Sequence, residues 1–341
     1  MQAMVLNHLC QMDAGSRPLT LTDLPLPEPR TGEVLLKVTA CGVCHTELDE
    51  IEGRTPPRQL PVVLGHQVVG RVVANGHGAG RFTPGDRVGV AWIFSACGRC
   101  ALCRSGRENL CAQFCATGRD AHGGYAEYMR VGEDFALPLP AIFSDVEAAP
   151  LLCAGAIGYR SLGLTGMANG QRLGLTGFGA SAHLVLKMVA HCFPASPVYV
   201  FARSAAERDF ARELGAVWAE DTREMAPEPL DCIIDTTPAW TPILWALANL
   251  APGGHLVVNA IRKEAADQDC LQTLDYPRHL WMEKTVQSVA NVTRADVAGY
   301  LELAAEIPFR PEVQTFPLVE ANTALLELKQ RRIRGAKVLV I

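Results

Sequence analysis

Twelve cysteines and nine histidines stand in this chain of 341 residues, and their spacing concentrates metal chemistry at two places. The first is Cys44-His45-Thr46-Glu47, followed by a Pro-rich loop and then Leu64-Gly65-His66-Gln67. A soft thiolate at Cys44 and an imidazole at His66 form a natural ligand set for Zn²⁺. Cys153, in Leu151-Leu152-Cys153-Ala154-Gly155, is the candidate third ligand. Three protein ligands plus one open position is the arrangement of a catalytic zinc. Thr46, two residues after Cys44, puts a hydroxyl within reach of an atom bound at that position. The same cysteines read also as small buried hydrophobes, since free Cys is among the most buried residue types.

The second place is Cys97-Gly98-Arg99-Cys100-Ala101-Leu102-Cys103, which runs on to Cys111 in the spacing C-x2-C-x2-C-x7-C. Four thiolates this close together can surround Zn²⁺ and leave no position for water, so the role would be structural. An iron–sulfur cluster is the alternative for four cysteines, but the Pro that follows the last Cys of bacterial ferredoxin-type runs is missing. Cys115, just beyond, is a spare and is expected to be a buried thiol.

A scaffold must carry these residues. Residues 1–40 alternate as strands do, with breaks at Pro25, Pro27 and Pro29 and a turn at Thr31-Gly32. Short β pieces over 65–74 and 86–90 extend a Gly-punctuated, β-rich first domain, expected as a partly closed barrel. A helix starting at Asp145 is expected to carry Cys153. From residue 155 to about 290 apolar strand-like runs alternate with helical patterns, the signature of a parallel sheet covered on both faces. There Leu173-Gly174-Leu175-Thr176 is followed by the turn Gly177-Phe178-Gly179-Ala180 and a helix. Such a turn sets bare backbone N–H groups and a helix N-terminus against a pyrophosphate. The tail from 291 to 341 holds two helical patterns, Ala298 to Ile307 and Ala321 to Arg332, and a last strand from Ala336 to Ile341.

Cofactor choice is read at the end of the next strand, Val198-Tyr199-Val200-Phe201. NAD enzymes place an acid there for the ribose 2′-OH. Here Ala202 stands in its place and Arg203-Ser204 follow, a cation and a hydroxyl that suit a 2′-phosphate. NADP(H) is therefore expected over NAD(H). A solvated Arg203, or one stacked on the adenine, is the competing reading.

Composition narrows the class. At 49% hydrophobic and 20% charged the chain suits a well-buried globular protein, and its length suits two domains. The net charge of −5 and the single basic run Arg331-Arg332-Ile333-Arg334, read as a solvated helix end, imply no nucleic-acid or membrane partner. No basic-plus-apolar leader and no run of 18 apolar residues is visible, so a cytoplasmic location with reduced thiols is expected.

Three stretches, Gly42 to Glu47, Gly65 to Gly70 and Leu152 to Gly155, resemble the zinc-dependent alcohol dehydrogenases of the medium-chain dehydrogenase/reductase superfamily. The resemblance runs in order over nearly the whole chain. It implies an α/β protein with a GroES-like catalytic domain, residues 1–153 and 291–341, around a Rossmann domain, residues 154–290. It implies two Zn²⁺ per chain: a catalytic ion on Cys44, His66 and Cys153, and a structural ion on Cys97, Cys100, Cys103 and Cys111. The Gly turn, aligned with the family, comprises Gly174, Thr176, Gly177, Phe178, Gly179 and Ala180, with Thr176 where a second Gly is usual. The implied reaction is reversible oxidation of a small alcohol to a carbonyl, with Zn²⁺ as Lewis acid and hydride passing to the nicotinamide. Thr46 would carry the hydroxyl proton, with Asp49 as a candidate relay member and His45 as a relay member, a contact to the cofactor pyrophosphate or a plain surface histidine. Glu47 would orient a ligand, and Trp92 would wall the substrate pocket, with an ordinary core tryptophan as the competing reading.

Two positions depart from the family pattern: Gln67 replaces the usual Glu after the ligand His, and Asp49 replaces the relay His. A zinc-free quinone or enone reductase and a non-enzymatic zinc and nucleotide binder are the rival readings. A homodimer or homotetramer is implied by the relatives.

Overall fold

The computed structural model describes residues 1–330, 332 and 335–341. Most of the basic run Arg331 to Arg334 therefore lies outside the described residues. The chain forms two units, Met1–Cys153 with Thr293–Ile341, and Ala154–Val292. None of the twelve cysteines forms a disulfide. Among the described residues, no helix is long and apolar enough to cross a membrane.

In the first unit, β1 (Glu33–Val43) is the hub. It pairs antiparallel with β2 (Val68–Asn75), with Tyr128–Gly132 and with Ala336–Val340, while β2 pairs with β3 (Arg87–Val90). A smaller sheet of Leu19–Asp23, Gln2–Leu6 and Val62–Val63 shares the same apolar core, which takes in Leu6, Leu36, Val68, Tyr125 and Leu339. Period-two alternation along β1 and β2 turns the aliphatic residues inward. The β piece expected from Gly65 begins only at Val68. Gly65 is left-handed, at φ +96, and breaks the extended run so that His66 rides on a loop.

Two short helices carry the other ligands. Helix α1 (His45–Ile51) follows β1 directly, with Cys44 as its N-cap. Helix α2 (Asp145–Pro150) has a Ser144/Glu147 capping box and runs into a wider π-helical turn, Leu151–Gly155. Pro150 has no N–H to donate to the preceding turn, so the regular ladder cannot continue there. Cys153 stands in that widened turn rather than in a regular helix.

The second unit holds a six-stranded, all-parallel sheet. Its strands are β4 (Leu173–Thr176), β5 (Val198–Phe201), β6 (Trp218–Glu220), β7 (Leu230–Asp235), β8 (Leu250–Val258) and β9 (Thr285–Ser288). Their order is β6-β5-β4-β7-β8-β9, so the chain reverses direction across the sheet between β4 and β7. That is the doubly wound Rossmann order, with its crevice at the carboxyl ends of β4 and β7. Helix α3 (Ala180–Cys192) leaves β4 through the Gly turn, and α4 (Ala205–Glu213) leaves β5. Gly215, at φ +104, stops α4, since a Cβ would strain that left-handed position. In the tail, helices span Arg294–Glu306 and Ala321–Lys329.

Candidate active site

Cys44, His66 and Cys153 offer ligand atoms that all lie within 4.8 Å of one another. His66 Nε2 is 3.6 Å from Cys44 Sγ and 3.3 Å from Cys153 Sγ. Tetrahedral Zn²⁺ with ordinary bond lengths needs its ligand atoms about 3.5–3.8 Å apart. The donor set and spacing therefore fit a zinc ion.

Local sequence builds this geometry. As N-cap, Cys44 accepts the Thr46 N–H on its sulfur at 3.3 Å. Glu47 closes the capping box by accepting the Cys44 N–H at 2.8 Å. The other oxygen of Glu47 stands 2.6 Å from His66 Nδ1, which turns Nε2 toward the sulfurs. The hydrogen-bonded Cys153 thiol, burial and the charge of Glu47 push the Cys44 pKa well above the usual thiol range. The thiolate form thus calls for a positive charge at this centre. Burial opposes the imidazolium of His66, but Glu47 and Cys44 outweigh it and raise that pKa.

The remaining candidates fall nearby with different degrees of engagement. Thr46 is half-buried in the first turn of α1 and His45 is exposed beside it. Asp49 is buried, and its carboxylate holds Arg54 Nε at 2.5 Å. Gln67 is buried against Gly42, where a Cβ would stand 2.5 Å from its Oε1. Trp92 stacks on Phe114, with ring centroids 5.0 Å apart, in the small core beside the four-cysteine lobe.

In that lobe Cys97, Cys100, Cys103 and Cys111 also converge within 4.8 Å. Sulfur separations of 3.8 Å for Cys97–Cys103 and 3.5 Å for Cys100–Cys103 again fit tetrahedral zinc. Backbone N–H groups of Arg99 and Cys100 bring the Cys97 thiol down to about 6, ready to bind as thiolate. Cys115 is half-buried, with Arg58 Nη1 3.8 Å from its sulfur.

At the nucleotide turn Gly177 is left-handed, at φ +78, and a Cβ there would meet Thr236 Oγ1 at 2.8 Å. Gly174 is equally confined: a Cβ would stand 2.8 Å from Leu230 Cδ1. Gly179 caps α3 with open space around it, as close approach of a phosphate requires. Ala180 begins the helix, Phe178 is buried edge-on to Phe210, and Thr176 is buried at the end of β4. Past β5, Ala202 is buried while Arg203 and Ser204 are exposed.

Sequence reasoning missed three groups. Arg208, in the first turns of α4, donates to the carbonyls of Ala202 and Arg203, each at 2.9 Å, and so sits at the same corner. Asp235, wholly buried at the end of β7, pairs with Lys263 at 2.5 Å; burial raises its pKa and Lys263 opposes that. Glu50, one turn beyond Glu47, is fully buried with no hydrogen bond to either carboxylate oxygen. Burial and the charge of Glu47 raise its pKa well above the carboxylate range. An acid between Asp49 and Ile51 on the inward face of α1 was the available signal.

Residues 30–141 match the alcohol dehydrogenase GroES-like domain. The chain is 42% identical, over 97% of its length and 94% of the relative, to the probable alcohol dehydrogenase AdhA of Mycobacterium tuberculosis. It is 32% identical to an alcohol dehydrogenase of Geobacillus stearothermophilus, covering 99% of this chain and 98% of that one. A cinnamyl alcohol dehydrogenase of Sorghum bicolor superposes with a TM-score of 0.84 at 28% identity, over 99% of this chain and 97% of the other. A GroES-like unit, an all-parallel Rossmann sheet, two convergent ligand sets and relatives matched end to end agree: the chain belongs to the zinc-dependent alcohol dehydrogenases of the medium-chain dehydrogenase/reductase superfamily.

Proposed function

We propose that this protein reversibly oxidises small alcohols to aldehydes or ketones, binds two zinc ions per chain and prefers NADP(H). The convergence of Cys44, His66 and Cys153 carries the reading. When bound, zinc supplies Lewis acidity that favours the deprotonated alcohol, and the nicotinamide supplies the hydride acceptor.

The chain's own residues do the rest. Cys44 and Cys153 hold two sulfurs, and Glu47 fixes the His66 ring so that Nε2 faces them. Thr46, first-turn neighbour of Cys44, takes the proton from the substrate hydroxyl. Asp49, whose carboxylate pairs with Arg54, continues the relay in this reading, and exposed His45 is its way out to solvent. Gly177 and Gly179 let the backbone approach the pyrophosphate at the start of α3. The four-cysteine lobe is closed and holds its loop.

The cofactor preference rests on Ala202, Arg203, Ser204 and Arg208. No carboxylate stands directly after β5; exposed Arg203 follows Ala202 there, and the Arg208 guanidinium donates to the carbonyls of both. A 2′-phosphate there gains charge-assisted hydrogen bonds. Steady-state kinetics with both cofactors is the test. kcat/KM for NADP exceeds that for NAD by about tenfold or more, and Arg203→Ala narrows the gap. Equal or better efficiency with NAD sinks the preference.

A homo-oligomer suits the edge of the second unit's sheet. Strand β9 is exposed along its length, Val286 included, and exposed Trp281 and Met282 lie just before it. An open, apolar strand edge is a template for a second strand. Sedimentation of Val286→Lys reads a smaller particle than wild type; an unchanged mass rejects this edge as the interface.

A further inference from the structure

Arg119 is the group in the first unit whose engagement leaves a binding function over. It sits in the loop 116–124, which is pinned on both sides. Thr117 donates its N–H to the Trp92 carbonyl at 2.8 Å and its hydroxyl to the Ala91 carbonyl at 2.8 Å. Gly118 and Gly123 lie backbone to backbone with Gly65, so close that a Cβ on either would stand 2.8 Å from Gly65 N or 2.1 Å from Gly65 O. Gly65 is the residue before His66. Trp92 lies two residues past Val90, whose ladder partner Val68 lies two residues past His66. Antiparallel direction therefore carries Trp92 toward His66 as well. The Arg119 guanidinium lies over the Trp92 ring, 5.0 Å from its centroid, and the side chain keeps 21% of its exposure.

The guanidinium is only half used. Nε donates to Asp120 Oδ1 at 3.1 Å and Nη2 to Asp120 Oδ2 at 2.7 Å, which fills the side edge of the fork. Nη1 donates to nothing among the described residues. The end edge, with N–H groups of both Nη atoms, is free to take a second planar carboxylate. Charge points the same way. The Asp120 side chain is wholly buried and is shared with Arg58, 3.2 Å away, so two cations face this one carboxylate. Burial and the charge of Glu47 raise the pKa of nearby Glu50, and Arg119 lowers it.

We propose that Arg119 is a specificity-determining residue that receives a carboxylate on the substrate, so that the preferred alcohols are hydroxycarboxylates. The proposal rests on the alcohol dehydrogenase reading above and adds its substrate class. The loop carries Arg119 next to the segment that holds the ligand His66, and Asp120 and Trp92 hold the plane of its guanidinium. A neutral alcohol leaves the end edge to water, whereas a carboxylated one gains a two-point charge-assisted contact.

The test compares short ω-hydroxycarboxylates with n-alcohols of the same chain length, in wild type, Arg119→Lys and Arg119→Met. The ratio of kcat/KM for carboxylate over neutral alcohol exceeds one in wild type. It falls roughly tenfold to a hundredfold in Arg119→Met, the range of a lost charge-assisted hydrogen bond. Arg119→Lys, which keeps the charge without the fork, retains part of the preference and controls for loss of folding. Equilibrium binding of the hydroxycarboxylate, followed by tryptophan fluorescence, reads the same ratio without turnover. A ratio at or below one in wild type, or one that Arg119→Met does not move, overturns the proposal. Arg119-dependent binding without oxidation of either alcohol class upholds the carboxylate site and rejects the dehydrogenase reading instead.

Discussion

Cys44→Ala abolishes alcohol oxidation, by three orders of magnitude or more, on the order expected for losing a catalytic metal. Zinc content falls from about two ions per chain to about one. Thr46→Ala makes the contrast: turnover drops steeply while both ions stay. The difference follows from what each side chain touches. Cys44 Sγ is one of three atoms within 4.8 Å of each other, and it also caps α1 by taking the Thr46 N–H. Its loss removes a ligand and a helix cap together, and two remaining donors make a poor zinc site. Thr46 offers the metal set nothing but its backbone N–H, which alanine keeps. Elemental analysis by mass spectrometry together with steady-state rates separates the two. Normal zinc content in Cys44→Ala removes the three-residue centre as a metal site, and unchanged turnover in Thr46→Ala removes that hydroxyl from the proton path.

Cys100→Ser produces the second large effect, on stability. Its sulfur is the N-cap of the short helix Ala101–Arg104 and lies 3.5 Å from Cys103 Sγ. The apolar core beside the lobe consists of Trp92, Ile93, Cys111, Phe114 and Ala116, too small to hold the segment without the ion. Binding free energy of a closed zinc site is folding free energy for the segment it ties. Loss of several kcal/mol there lowers Tm by about 10 °C or more. Differential scanning calorimetry, read beside zinc content, is the measurement. A variant that melts with the wild type while carrying one ion fewer means that the lobe's fold does not depend on its metal.

The ligands themselves were legible because chemistry restricts them. Closely spaced cysteines advertise a closed site on a single stretch, and the Gly turn after an apolar run advertises a nucleotide helix. His66 and Cys153 lie 87 positions apart, and no local pattern joins them. Only resemblance to a family did so. What periodicity could not reveal were departures from regular geometry. The π-helical turn at Cys153 follows from a missing N–H at Pro150, and the loop around His66 follows from the backbone of Gly65. Long side chains were also opaque. Arg208 returns to the carbonyls that precede its helix, and Arg119 folds over Trp92, neither of which is written in spacing. Asp49 was legible as a departure, but its partner Arg54 was not.

The order of synthesis bears on how this molecule assembles. The strand Ala336–Val340 lies against β1, with Lys337 opposite Val43, the residue before Cys44. The unit that holds both ligand sets is thus completed by a strand translated hundreds of residues after its first one, while Ala154–Val292 is one unbroken stretch. Domains tend to fold as units while the chain emerges from the ribosome. The nucleotide-binding unit can therefore close first, as an insert inside a half-made neighbour. Through that interval the thiols of six ligand cysteines and the spares wait in an incomplete unit, and the cell must keep them reduced until the last strand arrives.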